Sequence, residues 1–373
     1  MIAAALAGAA LVGLIACASS AEPTPDAWPA ANLLAPFPAN NPPTPIKVEL
    51  GRRLFYDGDL SWDGTMSCAT CHEQKRGFTD PNKTRPGFDG QPGERNIQTL
   101  ANVGWLGSLT WGGPQVDTLE HQALIPIEGL VPVEMGFAGR PEGALPQRLK
   151  DQACYPQLFR AAFPERKGEI SMDTIVMALS AFQRSLVSLD SPYDRYRRGD
   201  ASAISGQAKR GEALFRDKQC ASCHVGPHFT DAALPGRKPA ESFHMLAMPA
   251  PGKDMGLQRI TQKSEDAGKF RTPGLRNVAL SAPYMHDGEV ATLADAIRHH
   301  YRFAGQTDVR LKVSVSDAEV GDLVAFLGTL TDETFVKNPA FALPKPECPL
   351  TADAALTAEE QNSAKLHNSP DGP

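Results

Sequence analysis

The five-residue word C-x-x-C-H occurs twice in this chain, as Cys68-Ala69-Thr70-Cys71-His72 and as Cys220-Ala221-Ser222-Cys223-His224. This is the spacing of covalent c-type haem attachment: two cysteines form thioethers to the porphyrin vinyl groups, and the adjacent histidine reaches the iron as proximal ligand. A thiol–disulfide pair or half a zinc site also begins C-x-x-C, but neither needs a histidine directly after the second cysteine. Two copies imply iron redox chemistry at two centres.

The words begin 152 residues apart in a chain of 373, so one haem per domain is the economical division. Gly and Pro number 32 each, which predicts long ordered loops around a core that the haem helps to fill. The net charge of −6 and the absence of a basic run argue against a nucleic-acid partner.

Residues 1–21 are apolar, uncharged and small, and end in Ser19-Ser20-Ala21, as a secretory signal peptide does, though without a basic n-region. Leu14-Ile15-Ala16-Cys17 also has the form of a lipoprotein signal, which would make Cys17 a lipid anchor and the only membrane attachment. Either reading places the mature chain in the periplasm. Of the remaining cysteines, Cys154 and Cys348 are either a disulfide or two inert thiols.

Residues 22–44 read as an extended lead-in rich in Pro, Ala and Asn. Thr44-Pro45 then opens a helix with Ile46, Leu50 and Leu54 on one face. A second helix is predicted over 171–189, with Ile175, Leu179, Phe182 and Leu186 on one stripe. A third starts near Ser205 and leads to the second haem word. Capping-box-like starts at Thr292 and Ser316 predict helices over 292–303 and 316–330. No strand alternation stands out. The fold class is mainly α: two tandem cytochrome c-like domains, each with one covalently bound c-type haem, and long loops. The N-terminal domain spans 45–198, the C-terminal domain 199–345, and a tail 346–373.

The sixth iron ligand separates a catalyst from an electron wire. After His72 the next histidine is His121, whose neighbours point to a helix surface, and no methionine lies between Met66 and Met135. The first haem is therefore expected to be open. The second half offers many candidates. On the helix after Thr292, Leu293, Ala296, Ile297 and His300 share one apolar face, while Tyr301 lies four residues beyond Ile297. His300 and Tyr301 both remain candidates.

These residues carry a resemblance to the bacterial di-haem cytochrome c peroxidase and MauG superfamily. The matching words include Gly77-Phe78-Thr79-Asp80, Arg95-Asn96, Pro132-Val133-Glu134-Met135 and the run from Leu275 to Gly288. Within the superfamily the chain looks most like the MbnH branch, through Leu109-Thr110-Trp111, Gln122 to Pro126, Glu134 to Arg140 and Leu323 to Asp332. The resemblance implies that His72 is proximal ligand of an open, high-spin haem and His224 of a six-coordinate haem, with His300 at the distal position and Tyr301 one step off. It implies Glu134 as the distal acid–base group with Gln122 beside it, and Trp111 as the tryptophan between the haems. It also implies calcium held by Asn96 and the carbonyls of Ser281 and Pro283. The activity implied is oxidation, by hydrogen peroxide through a bis-ferryl state, of a tryptophan to kynurenine on an MbnP-like partner protein. The alternative is peroxide reduction with electrons from a small cytochrome c or cupredoxin.

Overall fold

The computed structural model describes residues 28–246, 248–250, 252–302 and 314–348. The leader with Cys17, the first residues of the lead-in and the tail past Cys348 lie outside the described residues. Each half is built on one close helix crossing. Thr44 caps the Pro45–Tyr56 helix by accepting a hydrogen bond from the Lys47 amide at 3.2 Å, and Pro45 costs no helical bond at that position. This helix crosses Met172–Ser185, burying Leu50 and Leu54 completely, each worth about 1.5–3 kcal/mol of transfer free energy. The approach is close because position 51 is glycine: a Cβ there would lie 1.9 Å from the Ala178 carbonyl oxygen.

The second half repeats the device. The Gly206–Asp217 helix crosses Asp317–Gly328, and a Cβ at Gly211 would lie 2.0 Å from the Asp322 carbonyl oxygen. Ser205 and Ser316 cap these two helices. In both halves the phenylalanine four residues after the glycine faces the histidine of the haem word. The ring of Phe55 is 6.4 Å from that of His72, and Phe215 is 6.5 Å from His224. Two tandem, mainly helical domains follow, with cysteine pairs placed for covalent haem.

Three features differ from the sequence expectation. The helix predicted over 171–189 stops at Ser185, because the backbone beyond it bonds elsewhere: the Leu186 carbonyl accepts from the Asn102 amide, and the Ser188 amide donates to Asn102 Oδ1 at 2.7 Å. Phe243–Met245 and Lys269–Arg271 form an antiparallel ribbon, too short for alternation to reveal in sequence. Residues 333–348, divided by sequence between the second domain and the tail, pack on the first domain. Phe335, Val336 and Phe341 join its core, and Tyr56 donates to the Phe341 carbonyl at 2.8 Å. Cys154 and Cys348 are bonded, with Cα atoms 5.6 Å apart.

The N-terminal arm crosses the other way. Trp28 packs on Tyr193 of the second domain at 5.5 Å, while Asn41 donates to Glu120 and the Met177 carbonyl in the first. Between the domains lies a buried polar knot. Asn277 donates to Ser188 and accepts from the Asp332 amide, and Asp332 in turn accepts from Ser188 and the Asp190 amide.

Candidate haem sites and the cavity between them

The first haem word forms a single helical turn, Cys68–Cys71, started by a reciprocal Ser67/Thr70 capping box. His72 follows as its cap. The Nδ1 atom of His72 lies 2.8 Å from the Phe78 carbonyl, so Nδ1 carries the proton and Nε2 is left for a metal. Burial pushes the His72 pKa down and keeps the ring neutral, as a ligand must be. Gly77, at φ +67°, makes the turn that brings the Phe78 carbonyl back to His72 Nδ1.

Glu134 sits on a loop clamped from two sides. Its own carbonyl accepts from the Phe88 amide at 2.9 Å, and the next carbonyl, of Met135, accepts from the Trp62 amide at 2.7 Å. The Met135 amide returns to the Pro126 carbonyl at 2.9 Å, which ties the loop to the Leu119–Glu128 helix carrying Gln122. Burial pushes the Glu134 carboxyl above the usual carboxylate range. Its charge is felt by both Cys68 and Cys71, so the carboxyl lies on the side of the thioether positions. His121 is exposed on the first turn of the same helix, next to Glu120, which is held by Arg184 at 2.7 Å.

The second word ends in His224, whose Nδ1 lies 3.1 Å from the carbonyls of both Phe229 and Pro273. Across from it stands His300 on the Leu293–Arg302 helix, with Nδ1 2.7 Å from the Ala296 carbonyl. Both rings therefore present Nε2 inward, and their centres are 6.3 Å apart. A metal held at about 2 Å from one nitrogen of each imidazole needs about this separation. Burial, and the nearness of His300, push the His224 pKa down to about 4, and burial lowers His300 as well. Tyr301 lines the same cavity, but its hydroxyl is engaged with protein, 3.7 Å from Cys220 Sγ and donating to the Lys218 carbonyl. The residues fit a haem at this position. A cavity of about 770 Å³ opens between His224 and His300, beside Cys220 and Cys223, within the range of cofactor pockets.

The same cavity reaches the first domain through Thr79, Asn96, Gln98 and Trp111. Trp111 is buried; its Nε1 donates to the Asn96 carbonyl at 2.8 Å, and its carbonyl accepts from the Arg271 amide of the second domain at 2.9 Å. Trp105 instead stacks on His228 at 4.6 Å, away from this cavity lining. Asn96, Ser281 and Pro283 all line the cavity, and the Asn96 amide nitrogen donates to the carbonyls of Asn82 and Lys83. That leaves the Asn96 Oδ1 side for an oxygen-seeking cation.

One cluster escaped the sequence reading. Among the described residues, Cys223, Asp231 and His244 bring potential ligand atoms within 4.8 Å of one another. The Cys223 sulfur belongs to haem attachment, and the hydrogen bond to Asp231, with the Cys223 sulfur second, raises His244 to a pKa of about 10. An imidazolium–carboxylate pair is the simpler account. Asp231 and His244 are 13 residues apart across a turn and the ribbon, a pairing without a sequence signature.

Residues 45–202 match the family model described as di-haem cytochrome c peroxidase, and residues 208–331 match cytochrome c. The chain is similar to the methylamine utilization protein MauG of Methylorubrum extorquens, at 39% identity covering 80% of this chain and 82% of that one. It is 33% identical to the cytochrome c551 peroxidase of Pseudomonas aeruginosa, covering 76% and 78%. Among solved structures, it is similar to a MauG-like protein associated with microbial copper homeostasis, with a TM-score of 0.79 and 38% identity over 85% of this chain and 98% of that one.

Proposed function

The chain belongs to the di-haem cytochrome c peroxidase and MauG family and is a peroxide-dependent di-haem oxidoreductase, and from that premise we propose that hydrogen peroxide is reduced at the first haem with electrons entering at the second from a small electron-transfer protein. The observation that carries this division is the contrast between the two histidines. His224 has a second imidazole 6.3 Å away, whereas the ring contact of His72 among the described residues is Phe55, and the Glu134 carboxyl acts electrostatically on Cys71 and Cys68 of the same haem word.

Haem iron held by His72 would supply binding and cleavage of the peroxide O–O bond. The protein's own part is proton movement and positioning. Ionised Glu134 takes the proton from the oxygen that approaches the metal and returns it to the departing oxygen, which leaves as water. The clamped loop fixes the backbone that carries Glu134. His300, with His224, would hold the second haem iron, and its bond to the Ala296 carbonyl fixes the ring. Trp111, bonded to both domains, passes oxidising equivalents between them. Asn96, with the carbonyls of Ser281 and Pro283, would hold calcium at the domain junction in this reading.

A second reading is oxidation of a tryptophan to kynurenine on an MbnP-like partner protein. The likeness to MauG and to the copper-associated MauG-like structure favours it, as does the lack of any histidine other than exposed His121 between His72 and Glu134. We place the mature chain in the periplasm, where c-type haem is attached, with Cys17 as the one candidate lipid anchor. Among the described residues no helix is long and apolar enough to cross a membrane. Steady-state peroxide consumption with a reduced small cytochrome c or cupredoxin tests the first reading. Turnover without added donor, coupled to new oxygen in a partner tryptophan by mass spectrometry, replaces it with the second. Two low-spin ferric centres in the resting EPR spectrum defeat both.

A further inference from the structure

From His224 a run of touching rings leads to the far surface of the second domain. Phe215 lies 6.5 Å from His224 and 5.2 Å from Phe326, and Phe326 lies 5.2 Å from Tyr193. Tyr193 touches Trp28 at 5.5 Å and Tyr196 at 6.2 Å. The phenylalanines are too hard to oxidise to rest an equivalent on, so the run has three oxidisable rings, all at its outer end.

Their surroundings single out one. A phenol that loses an electron becomes a strong acid and must lose its proton at once, which a buried tyrosine can do only to a base within hydrogen-bond reach. Tyr193 is buried, and its hydroxyl donates to Glu212 Oε1 at 2.9 Å. Among the other tyrosines, Tyr56, Tyr284 and Tyr301 donate to backbone carbonyls, which are poor bases. Tyr155 donates to Asp57 in the first domain, outside this run. Trp28 also has a carboxylate, Asp194, at 2.7 Å, but both Asp194 oxygens are held by the buried Arg276, whereas Glu212 is paired through one oxygen with the solvent-exposed Arg216 at 2.9 Å.

Charge sharpens the choice. The Arg197 guanidinium sits 4.2 Å above Trp28 and 5.9 Å from the Tyr193 ring, and Lys209 sits 5.3 Å from Tyr196. A cation over a ring opposes positive charge on it. An oxidised tyrosine that has passed its proton to Glu212 is neutral and escapes that penalty. Glu212 also borders a surface depression lined by Tyr196, Arg197, Gly199 and Arg216, which gives the proton a way to solvent.

We propose that Tyr193 is a redox-active residue of this enzyme: it gives one electron to the peroxide-oxidised second centre and its phenolic proton to Glu212, and holds that oxidising equivalent as a neutral phenoxyl near the surface. Peroxide takes two electrons and two protons to become two waters, and Tyr193 supplies one of those electrons when no donor is present. The inference rests on peroxide oxidation of the holoenzyme as proposed above.

Holoenzyme carrying ring-deuterated tyrosine is mixed with peroxide in the absence of a donor, frozen, and examined by EPR alongside its haem absorption. An organic-radical signal that narrows on deuteration is expected. Tyr193→Phe, which keeps the ring packing, should abolish it, and Glu212→Gln should weaken it while leaving the haem absorption change in place. Peptide mapping after excess peroxide should find ring oxidation at Tyr193 in the unsubstituted protein, a readout that holds even where Tyr193→Phe fails to fold. A deuterium-sensitive signal unchanged in Tyr193→Phe overturns the proposal, as does a haem response with no tyrosyl signal and an unmodified Tyr193. Haem absorption that peroxide does not alter removes the functional reading beneath it.

Discussion

Replacing Glu134 with glutamine separates chemistry from architecture at the first haem. The two side chains are nearly isosteric, and among the described residues the Glu134 carboxylate accepts no hydrogen bond, while the backbone clamps from Phe88 and Trp62 do not depend on the side chain. What the substitution removes is the ability to take and return a proton. General acid–base groups contribute about 10²–10⁴ in rate, which corresponds to about 3–5 kcal/mol of barrier. Burial raises the Glu134 pKa in the folded chain above its unfolded value. The stability that the neutral acid contributes is therefore present below the unfolded pKa and is lost as pH rises through the folded one. At neutral pH the wild-type chain bears the cost of burying this charge, and Glu134→Gln does not. The expected result is a turnover with peroxide and reduced donor lower by about 10² or more, with a melting temperature equal to or above that of the wild type and an unchanged resting haem spectrum. The acid limb of the wild-type rate profile should lie above the ordinary glutamate range and vanish in the variant. Unchanged turnover, or a rate loss matched by lost haem or lowered melting temperature, would refute the assigned role.

His300→Ala should convert the second ferric centre from low-spin to high-spin by EPR, while Tyr301→Phe leaves it low-spin; the reverse pattern would make Tyr301 the ligand. Trp111→Phe keeps an aromatic ring, though a smaller one, and leaves the Asn96 carbonyl without its donor, a loss of about 1 kcal/mol for that bond; it should slow electron exchange between the haems in stopped-flow absorption far more than it lowers thermal stability. Cys348→Ser opens a covalent link spanning 194 residues and should cost about 2–5 kcal/mol in reversible denaturation, with haem content retained.

Much of the fold could be read because its determinants are short contiguous words. The haem pentads, the Thr44-Pro45 and Ser316 helix starts and the apolar stripe of 172–185 are each written in adjacent residues, and local physics acts on them directly. The candidate site was legible to the same extent: His72, His224 and Glu134 lie in contiguous words. A preference between His300 and Tyr301 was not, because it turns on where a hydroxyl finds its acceptor. The Tyr301 oxygen lies near the Cys220 sulfur and the Lys218 carbonyl, 81 and 83 residues away in sequence. The halt of a helix at Ser185 depends on Asn102, and the Cys154–Cys348 bond depends on a strap whose apolar residues, Phe335 and Phe341, carry no mark of which domain they will join. Helix periodicity says that a face is buried, and nothing about the surface that buries it.

The crossed arrangement of the first and last described segments limits how this molecule can work. Its opening segment leans on the later half through Trp28, and its closing segment returns to the earlier half through Phe335, Phe341 and Cys348. Neither lobe is a self-contained module that could swing on a single hinge, because any large rotation would break the Trp28 contact or pull the strap of residues 335–348 from the first lobe. The spacing between the two haem words is thus fixed by the packing of both lobes. Control over electron traffic must come from local events, such as a proton moving or a loop yielding, and not from lobes that open and shut.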